Sequence, residues 1–435
     1  MHAISLAEAW TPEIVARALQ RRRGLAWLDG DGRGPQGRWS FVACDWQTVH
    51  SVIAGPNADA LRAFGDLECA RDDADVGPVD VPEWIGWIAY DAAFYGNPKL
   101  IPEHPRSRTL PMLWWARYPA LYTYDAETRA SFVVGDNADV CNGLIQNVRD
   151  GLSLAAPEAT VDRVAAEDGA AHVERVTRAL SYIREGEIYQ ANLARRFEAR
   201  FSGDPLALQL AMRAASPVPF GFYLAGQNAT VISRTMECFL RWDGRTLETR
   251  PIKGTIARSG ARDADDARAL VSDDKERAEH SMIVDLMRND LGRVAEIGSV
   301  KVHDLLSVEP YAALSHLVST VRCKTREGVG IEEILRATFP PGSVTGTPKL
   351  RALQIIEELE ACARGVYTGA VGTITRAGGM SLAVAIRTAV VEKGTVSYYA
   401  GGGIVSASIP AKELAETELK ARVFYDALKT LTPIG

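Results

Sequence analysis

Two short acidic motifs frame the chemistry open to this chain. Glu276 and Glu279 fall in DDKERAEHSMIVDLM, and Glu413 and Glu416 in AKELAETELKA. Spacing of i, i+3 puts each pair on one face of a helix, and Lys420 joins the second face four residues after Glu416. Either helix alone reads as a solvated face carrying a Glu–Lys pair. Two such helices facing one another would gather four carboxylates and need a hard cation, for which Mg²⁺ held by few carboxylates plus water is the usual solution. A glycine run, Gly401-Gly402-Gly403, follows the apolar VSYYA. Its backbone N–H groups could bind an anion, or it is a simple tight turn. The segment FPPGSVTGTPK, from Phe339 to Lys349, looks like a phosphate loop, but Thr347 stands where the second glycine should be. That excludes a nucleoside-triphosphate loop. Lys253, between a strand and a glycine in PIKGT, reads as a surface turn lysine or a buried nucleophile, and local chemistry alone favours the first.

The elements that must position these residues can be read from periodicity. Val173, Val176, Leu180 and Ile183 recur at helical spacing before Gly186. Residues 273–291, with Asp273 and Asp274 at the start, and about 411–428, after Pro410, are the other strong helices. Short apolar runs such as GLAWLDGDG, RWSFVACD, WIGWIAYD, GFYLAG, GAVGTIT and SLAVAIRTAVVE read as strands between turn signals. Strands and helices do not alternate regularly and no internal repeat occurs. An α+β fold with large antiparallel sheets is therefore expected rather than a doubly wound parallel sheet. Residues 152–170, rich in Ala and acids, read as a linker between an N-terminal region, 1–160, and a catalytic region, 165–432.

Composition narrows the classes. The 435 residues are 47% hydrophobic and 24% charged, with a formal net charge of −6. That argues against nucleic acid or an anionic membrane as partner. No apolar run is long enough to span a bilayer, and the N-terminus lacks a secretory pattern, so a cytoplasmic protein is expected. Six cysteines lie far apart with no C-x-x-C pair, and no H-E-x-x-H occurs among the seven histidines. Zinc and thioredoxin-like sites are thus unsupported.

Taken together, the motifs resemble those of the chorismate-utilising enzymes. The matching segments are GEIYQANLARRF (186–197), PIKGT (251–255), KERAEHSMIVDLMRNDLGRV (275–294), GSV (298–300) and YAALSHLVSTV (311–321). They continue through FPPGSVTGTPKLRALQIIEELE (339–360), RGVYTGAVG (364–372), VAIRT (384–388), YYAGGGIV (398–405) and ELAETELKA (413–421). The resemblance covers about 170–428, and a looser one extends over the N-terminal part. It implies antiparallel sheets packed face to face with helices outside. It also implies that Glu279 and Glu416 ligate Mg²⁺ and that Glu276 and Glu413 hold the metal's waters. By the same resemblance, Lys420, Arg387, Tyr367, His316, Thr255 and the Gly402–Gly403 backbone surround the substrate. Gln190 stands where water-adding relatives carry a catalytic Lys, which argues against isochorismate or salicylate synthesis. The family usually reads S-P-E-R-F before PIKGT. This chain has Thr235-Met236-Glu237-Cys238-Phe239, keeping the glutamate that aligns with the general acid.

Lys253 points to the branch of the family that aminates chorismate at C4, because the C2-aminating branch, the anthranilate synthases, typically carries Ala there. The implied reaction is Mg²⁺-dependent. Glu237 protonates the leaving C4 hydroxyl, Lys253 attacks C2, and ammonia displaces it at C4 to give 4-amino-4-deoxychorismate, the precursor of p-aminobenzoate and folate. No Gly-x-Cys-x-Gly turn surrounds any cysteine, so ammonia is expected from a separate glutamine amidotransferase subunit. The alternative is the large subunit of anthranilate synthase, with amination at C2 and loss of pyruvate.

Overall fold

The computed structural model describes residues 1–433 except 34–35, 56–57, 68–80, 258–270, 273 and 311–313. The side chains of 255–257, 274–276, 310, 314 and 433 also lie outside the description. Two large sheets dominate. The first runs, in spatial order, through His2–Ser5, Ser131–Gly135, Ala120–Asp125, Trp39–Ala43, Ala26–Asp29, Phe220–Ala225, Ala229–Thr235, Thr388–Glu392, Thr395–Ile404, Gln190–Gly203, Ala159–Val161 and Thr432–Pro433. The second runs through Ile252–Ala257, Leu314–Lys324, Thr246–Arg250, Cys238–Trp242, Met380–Val384, Ala370–Thr375, Pro82–Ile88, Leu113–Arg117 and Thr48–Val52. Almost every pairing is antiparallel; Thr432–Pro433 against Ala159–Val161 is parallel. Among the described residues the helices are α1 (Pro12–Ala18), α2 (Ala138–Gly151), α3 (Gly169–Arg184), α4 (Pro205–Ala215), α5 (Asp274–Gly292), α6 (Ile331–Thr338), α7 (Lys349–Leu359) and α8 (Pro410–Lys429). This is the α+β architecture expected from the irregular strand order.

The first sheet is buried on both faces, which explains its nearly continuous apolar runs. Side chains alternate across a strand. Ala26, Leu28, Phe222, Leu224 and Val231 join the second sheet's Trp87 and Trp114, stacked on one another, in the layer between the sheets. Their neighbours Trp27, Tyr223 and Ile232 face the opposite way and pack with Val15, Leu144, Leu208 and Phe424 of α1, α2, α4 and α8. A third cluster seats α3 and α7 on Gln190–Gly203 through Val176, Ala179, Leu193, Ile355 and Ile356. Strands from residues 1–160 and from 165–432 stand side by side in both sheets. The stretch 152–170, expected as a linker, carries the short strands Ala159–Val161 and Ala165–Ala166, both laid against Gln190–Gly203.

A buried ion pair ties the two parts of the chain within the first sheet. Arg234 Nη1 donates to Asp29 Oδ2 at 2.8 Å, with side chains 1% and 2% exposed, and two further guanidinium nitrogens donate to the Ser216 carbonyl. Gly221 lies on the strand between them. A Cβ there would sit 2.1 Å from Arg234 Nη1, so glycine leaves the room the guanidinium needs. Arg213 Nε also donates to Asp29 Oδ2, at 2.9 Å, so Arg234→Met would leave the buried carboxylate one of its two cations and should cost about 1.5–3 kcal/mol. Urea unfolding monitored by tryptophan fluorescence checks this, and a loss below 1 kcal/mol would contradict it.

Candidate active site

Several of the residues singled out in the sequence, Gln190, Lys253, Glu413 and Glu416, meet where the second half of Thr395–Ile404 passes between α8 and the second sheet. Two glycines set the spacing. A Cβ on Gly402 would lie 3.2 Å from both Glu413 Oε2 and Glu416 Oε1 on α8. A Cβ on Gly403 would lie 2.9 Å from Gln190 Nε2 and 3.3 Å from Lys253 Nζ. Any larger residue at 402 or 403 would fill the space in which these groups converge. The glycine run is thus not a tight turn: Gly401, Gly402 and Gly403 are paired in register with Ala194, Leu193 and Asn192.

Lys253 lies on Ile252–Ala257, where Gly254, at φ 67°, interrupts the register against Leu314–Lys324. That irregularity lets Lys253 reach Gly403 instead of solvent, so the surface-turn reading of this lysine does not hold. Lys420 Nζ donates to the Gly401 carbonyl at 2.9 Å and pairs with Glu416 at 2.5 Å. Burial lowers its pKa against the opposing pull of Glu416, and Lys253 and Arg387 push in the same downward direction. Arg387, at the left-handed φ of 52°, donates to the Lys420 carbonyl. Lys253, Lys420 and Arg387 therefore share one site.

Glu237 sits in the turn between Ala229–Thr235 and Cys238–Trp242, 5% exposed. Its N–H is accepted by Thr235 Oγ1 at 3.2 Å, so the departure from S-P-E-R leaves a hydroxyl holding the turn. Burial raises its pKa to about 7, against the lowering pull of Ser343, Lys253 and Lys420. His316 Nδ1 donates to the Gly254 carbonyl at 3.3 Å. Burial lowers its pKa to about 4, leaving a neutral ring with Nε2 as acceptor. Gln190 is fully buried, and among the described residues neither of its amide atoms has a hydrogen-bond partner. Tyr367, 5% exposed, stacks on Tyr399 at 5.4 Å and 14°.

The acidic set divides. Glu413 and Glu416 converge over Gly402, and Glu279 lies on α5. The side chains of Glu276 and Thr255 lie outside the described residues. Among the described residues no three His, Cys, Asp or Glu side chains stand close enough to hold a metal. The donors that do converge are carboxylate oxygens beside a glycine-cleared space, the donor type that suits Mg²⁺. Sequence reasoning missed three residues. Ser343 lies beside Glu237, where it opposes the rise of that pKa, and belongs to the segment that resembles a phosphate loop. Arg364 and Glu360 form a buried pair behind the site, and their i, i+4 spacing within apolar sequence was the available signal.

Two antiparallel sheets, a glycine-cleared strand and a pocket holding Lys253, Lys420 and Arg387 make a site fitted to an anion, beside a buried carboxyl whose pKa burial raises to about 7. A family model described as chorismate binding enzyme matches residues 32–426, and the chain belongs to that family. Anthranilate synthase component 1 of Aquifex aeolicus is 45% identical over 257 residues, 58% of this chain and 52% of that protein. Aminodeoxychorismate synthase component 1 of Escherichia coli is 42% identical over 246 residues, 56% of this chain and 54% of that protein. The chain thus spans about half the length of these curated relatives. The crystal structure of anthranilate synthase component I from Streptococcus pneumoniae matches with a TM-score of 0.77 at 27% identity, over 88% of this chain and 91% of that one. No described helix is long and apolar enough to cross a membrane.

The raised pKa of Glu237 has a measurable consequence. A carboxyl that binds its proton more tightly in the folded state adds stability below its unfolded pKa, near 4.3, and that stability is lost as pH rises through about 7. Glu237→Gln, which keeps the shape without the charge, should flatten this part of the pH–stability curve between pH 5 and 8. Superimposable wild-type and variant slopes in urea titrations would contradict the assignment.

Proposed function

We infer that the chain aminates chorismate at C4 with ammonia to form 4-amino-4-deoxychorismate, the reaction of an aminodeoxychorismate synthase large subunit. The observation that carries this reading is Lys253 Nζ lying beside Gly403 and the buried Gln190 amide, with the buried carboxyl of Glu237, its pKa raised by burial to about 7, on the same site. Chorismate is a dicarboxylate, and Lys420 and Arg387 offer the cations that offset its charge. His316 and Tyr367 shape the neutral walls.

The chemistry balances on this chain's own groups. Lys253, as the free amine, forms a bond to ring C2 while both ring double bonds shift, C1=C2 to C1=C6 and C5=C6 to C4=C5, and the C4–O bond breaks. Glu237 gives its proton to the departing oxygen, which leaves as water. Ammonia then attacks C4, both double bonds shift back and the C2–N bond to Lys253 breaks. The Glu237 carboxylate takes the proton that the new C4 ammonium sheds. Gln190, in place of a lysine, supplies no base for water and favours nitrogen as the nucleophile. Glu279 and Glu416 would hold Mg²⁺ directly, and Glu276 and Glu413 its waters. Bound there, the ion would draw electron density from the ring carboxylate. A separate glutamine amidotransferase subunit would supply ammonia. The product suits p-aminobenzoate and folate synthesis in the cytoplasm.

The names of the relatives favour a second reading. Both component 1 proteins described above are similar to this chain, and the anthranilate route would aminate C2 and release pyruvate. A single product assay separates the two. Purified chain with chorismate, ammonium and Mg²⁺ should yield a product with the mass of 4-amino-4-deoxychorismate and no pyruvate, and EDTA should stop it. Anthranilate with stoichiometric pyruvate would overturn the C4 assignment, and turnover in EDTA would overturn the metal assignment.

A further inference from the structure

Behind the reacting groups lies a buried polar network centred on Arg364. Its side chain is 1% exposed and that of its partner Glu360 is 6%. The two stand at i, i+4 where α7 ends, joined by Nη2 to Oε1 at 2.6 Å and Nε to Oε2 at 2.8 Å. The remaining donors reach three different walls of the active site. Nη2 donates to the Asn192 carbonyl at 2.5 Å, and Nη1 donates to the Val344 carbonyl at 3.2 Å and to Thr368 Oγ1 at 3.1 Å. Glu360 Oε1 also accepts the Ala194 N–H at 2.8 Å. The guanidinium lies over the Tyr90 ring at 4.6 Å and the Tyr367 ring at 5.8 Å.

Each of these partners sits next to a site residue. Asn192 is two residues beyond Gln190 on one strand, so the two point to the same side of it. Val344 follows Ser343, the residue whose hydroxyl neighbours Glu237. Thr368 follows Tyr367 and is held at φ 60°, a conformation that a β-branched residue keeps only when its surroundings impose it. Thr368 Oγ1 in turn donates to the Tyr367 carbonyl at 2.6 Å. Lysine could not make this set of bonds. A planar fork with five donors serves fixed acceptors in several directions, whereas an ammonium is a compact point charge.

We propose that Arg364, oriented by Glu360, is a positioning residue that registers the Gln190 strand, the Ser343 turn and the Tyr367 wall against one another. The inference rests on the function proposed above. A cavity of about 180 Å³ is lined by Arg364, Tyr367, Tyr399, Asp91, Arg106 and Cys362 among others, and would admit a small planar cation beside the place an Arg364→Ala change empties.

The test pairs chemical rescue with an isosteric change, read as kcat and KM for chorismate alongside the melting temperature. Arg364→Ala should lose about 100-fold in kcat, the order expected for misplacing reacting groups by an ångström. Millimolar guanidinium chloride should restore part of that loss, and sodium chloride at equal ionic strength should not. Thr368→Val should lower kcat about tenfold in a protein that stays folded with a modestly lower melting temperature, while Thr368→Ser, which keeps the hydroxyl, should retain wild-type kcat. A folded Arg364→Ala that guanidinium does not rescue, or Thr368→Val with wild-type kcat, would overturn the proposal. If Arg364→Ala does not fold, the Thr368 pair decides alone. Failure of the wild-type chain to consume chorismate would count against the functional reading, whereas wild-type turnover with an unaffected Thr368→Val would count against the positioning role.

Discussion

Lys420 and Arg387 bring two positive charges into one pocket beside the Lys253 amine, and the surrounding structure serves to keep them there. Like charges this close repel strongly in a medium less polar than water. The chain offsets them in part with Glu416 on Lys420 and with the carbonyls of Gly401 and Lys420 itself, each accepting from a neighbouring cation. The balance left over is a site preorganised for an anion. Its cost is met by the large apolar layers on both faces of the first sheet, which hold Thr395–Ile404 in place whatever the pocket contains.

The glycine strand is where that constraint becomes geometry. Ala400, Gly401, Gly402 and Gly403 are ordinary paired residues of a central strand, yet three of them carry no side chain. The missing Cβ atoms let α8 present two carboxylates from one side while Lys253 and Gln190 approach from the other. Tyr398 and Tyr399, just before the glycines, mark the change. Tyr398 stacks on Phe424 of α8, and Tyr399 stacks on Tyr367. The strand is thus aromatic where it must fill space and bare where the substrate must fit.

Much of this could be read before the structure was known, and the remainder was hidden for definite reasons. The helices bearing the acidic motifs begin and end within about a residue of where their apolar period and Pro410 place them, because local pattern controls an amphipathic helix. Lys253 could not be placed from its neighbours, since its direction depends on a register irregularity at Gly254 that only strand pairing reveals. Residues 152–170 looked like a linker because edge strands of two or three residues have no periodicity to detect. Arg364 and Glu360 were passed over because a buried ion pair and an exposed helical one share the same spacing. The sharing of both sheets by the first and last thirds of the chain comes from contacts distant in sequence, which no local pattern encodes.

The covalent step at Lys253 is the centre of the account, and intact-protein mass spectrometry tests it most directly. With chorismate and Mg²⁺ present and ammonia withheld, the account predicts an adduct of chorismate less one water, mapped by digestion to residues 251–258. It also predicts that Lys253→Ala forms no adduct and makes aminodeoxychorismate severely more slowly. An unmodified Lys253 throughout turnover, together with near-normal synthesis by Lys253→Ala, would contradict it and leave Lys253 as an electrostatic contact only.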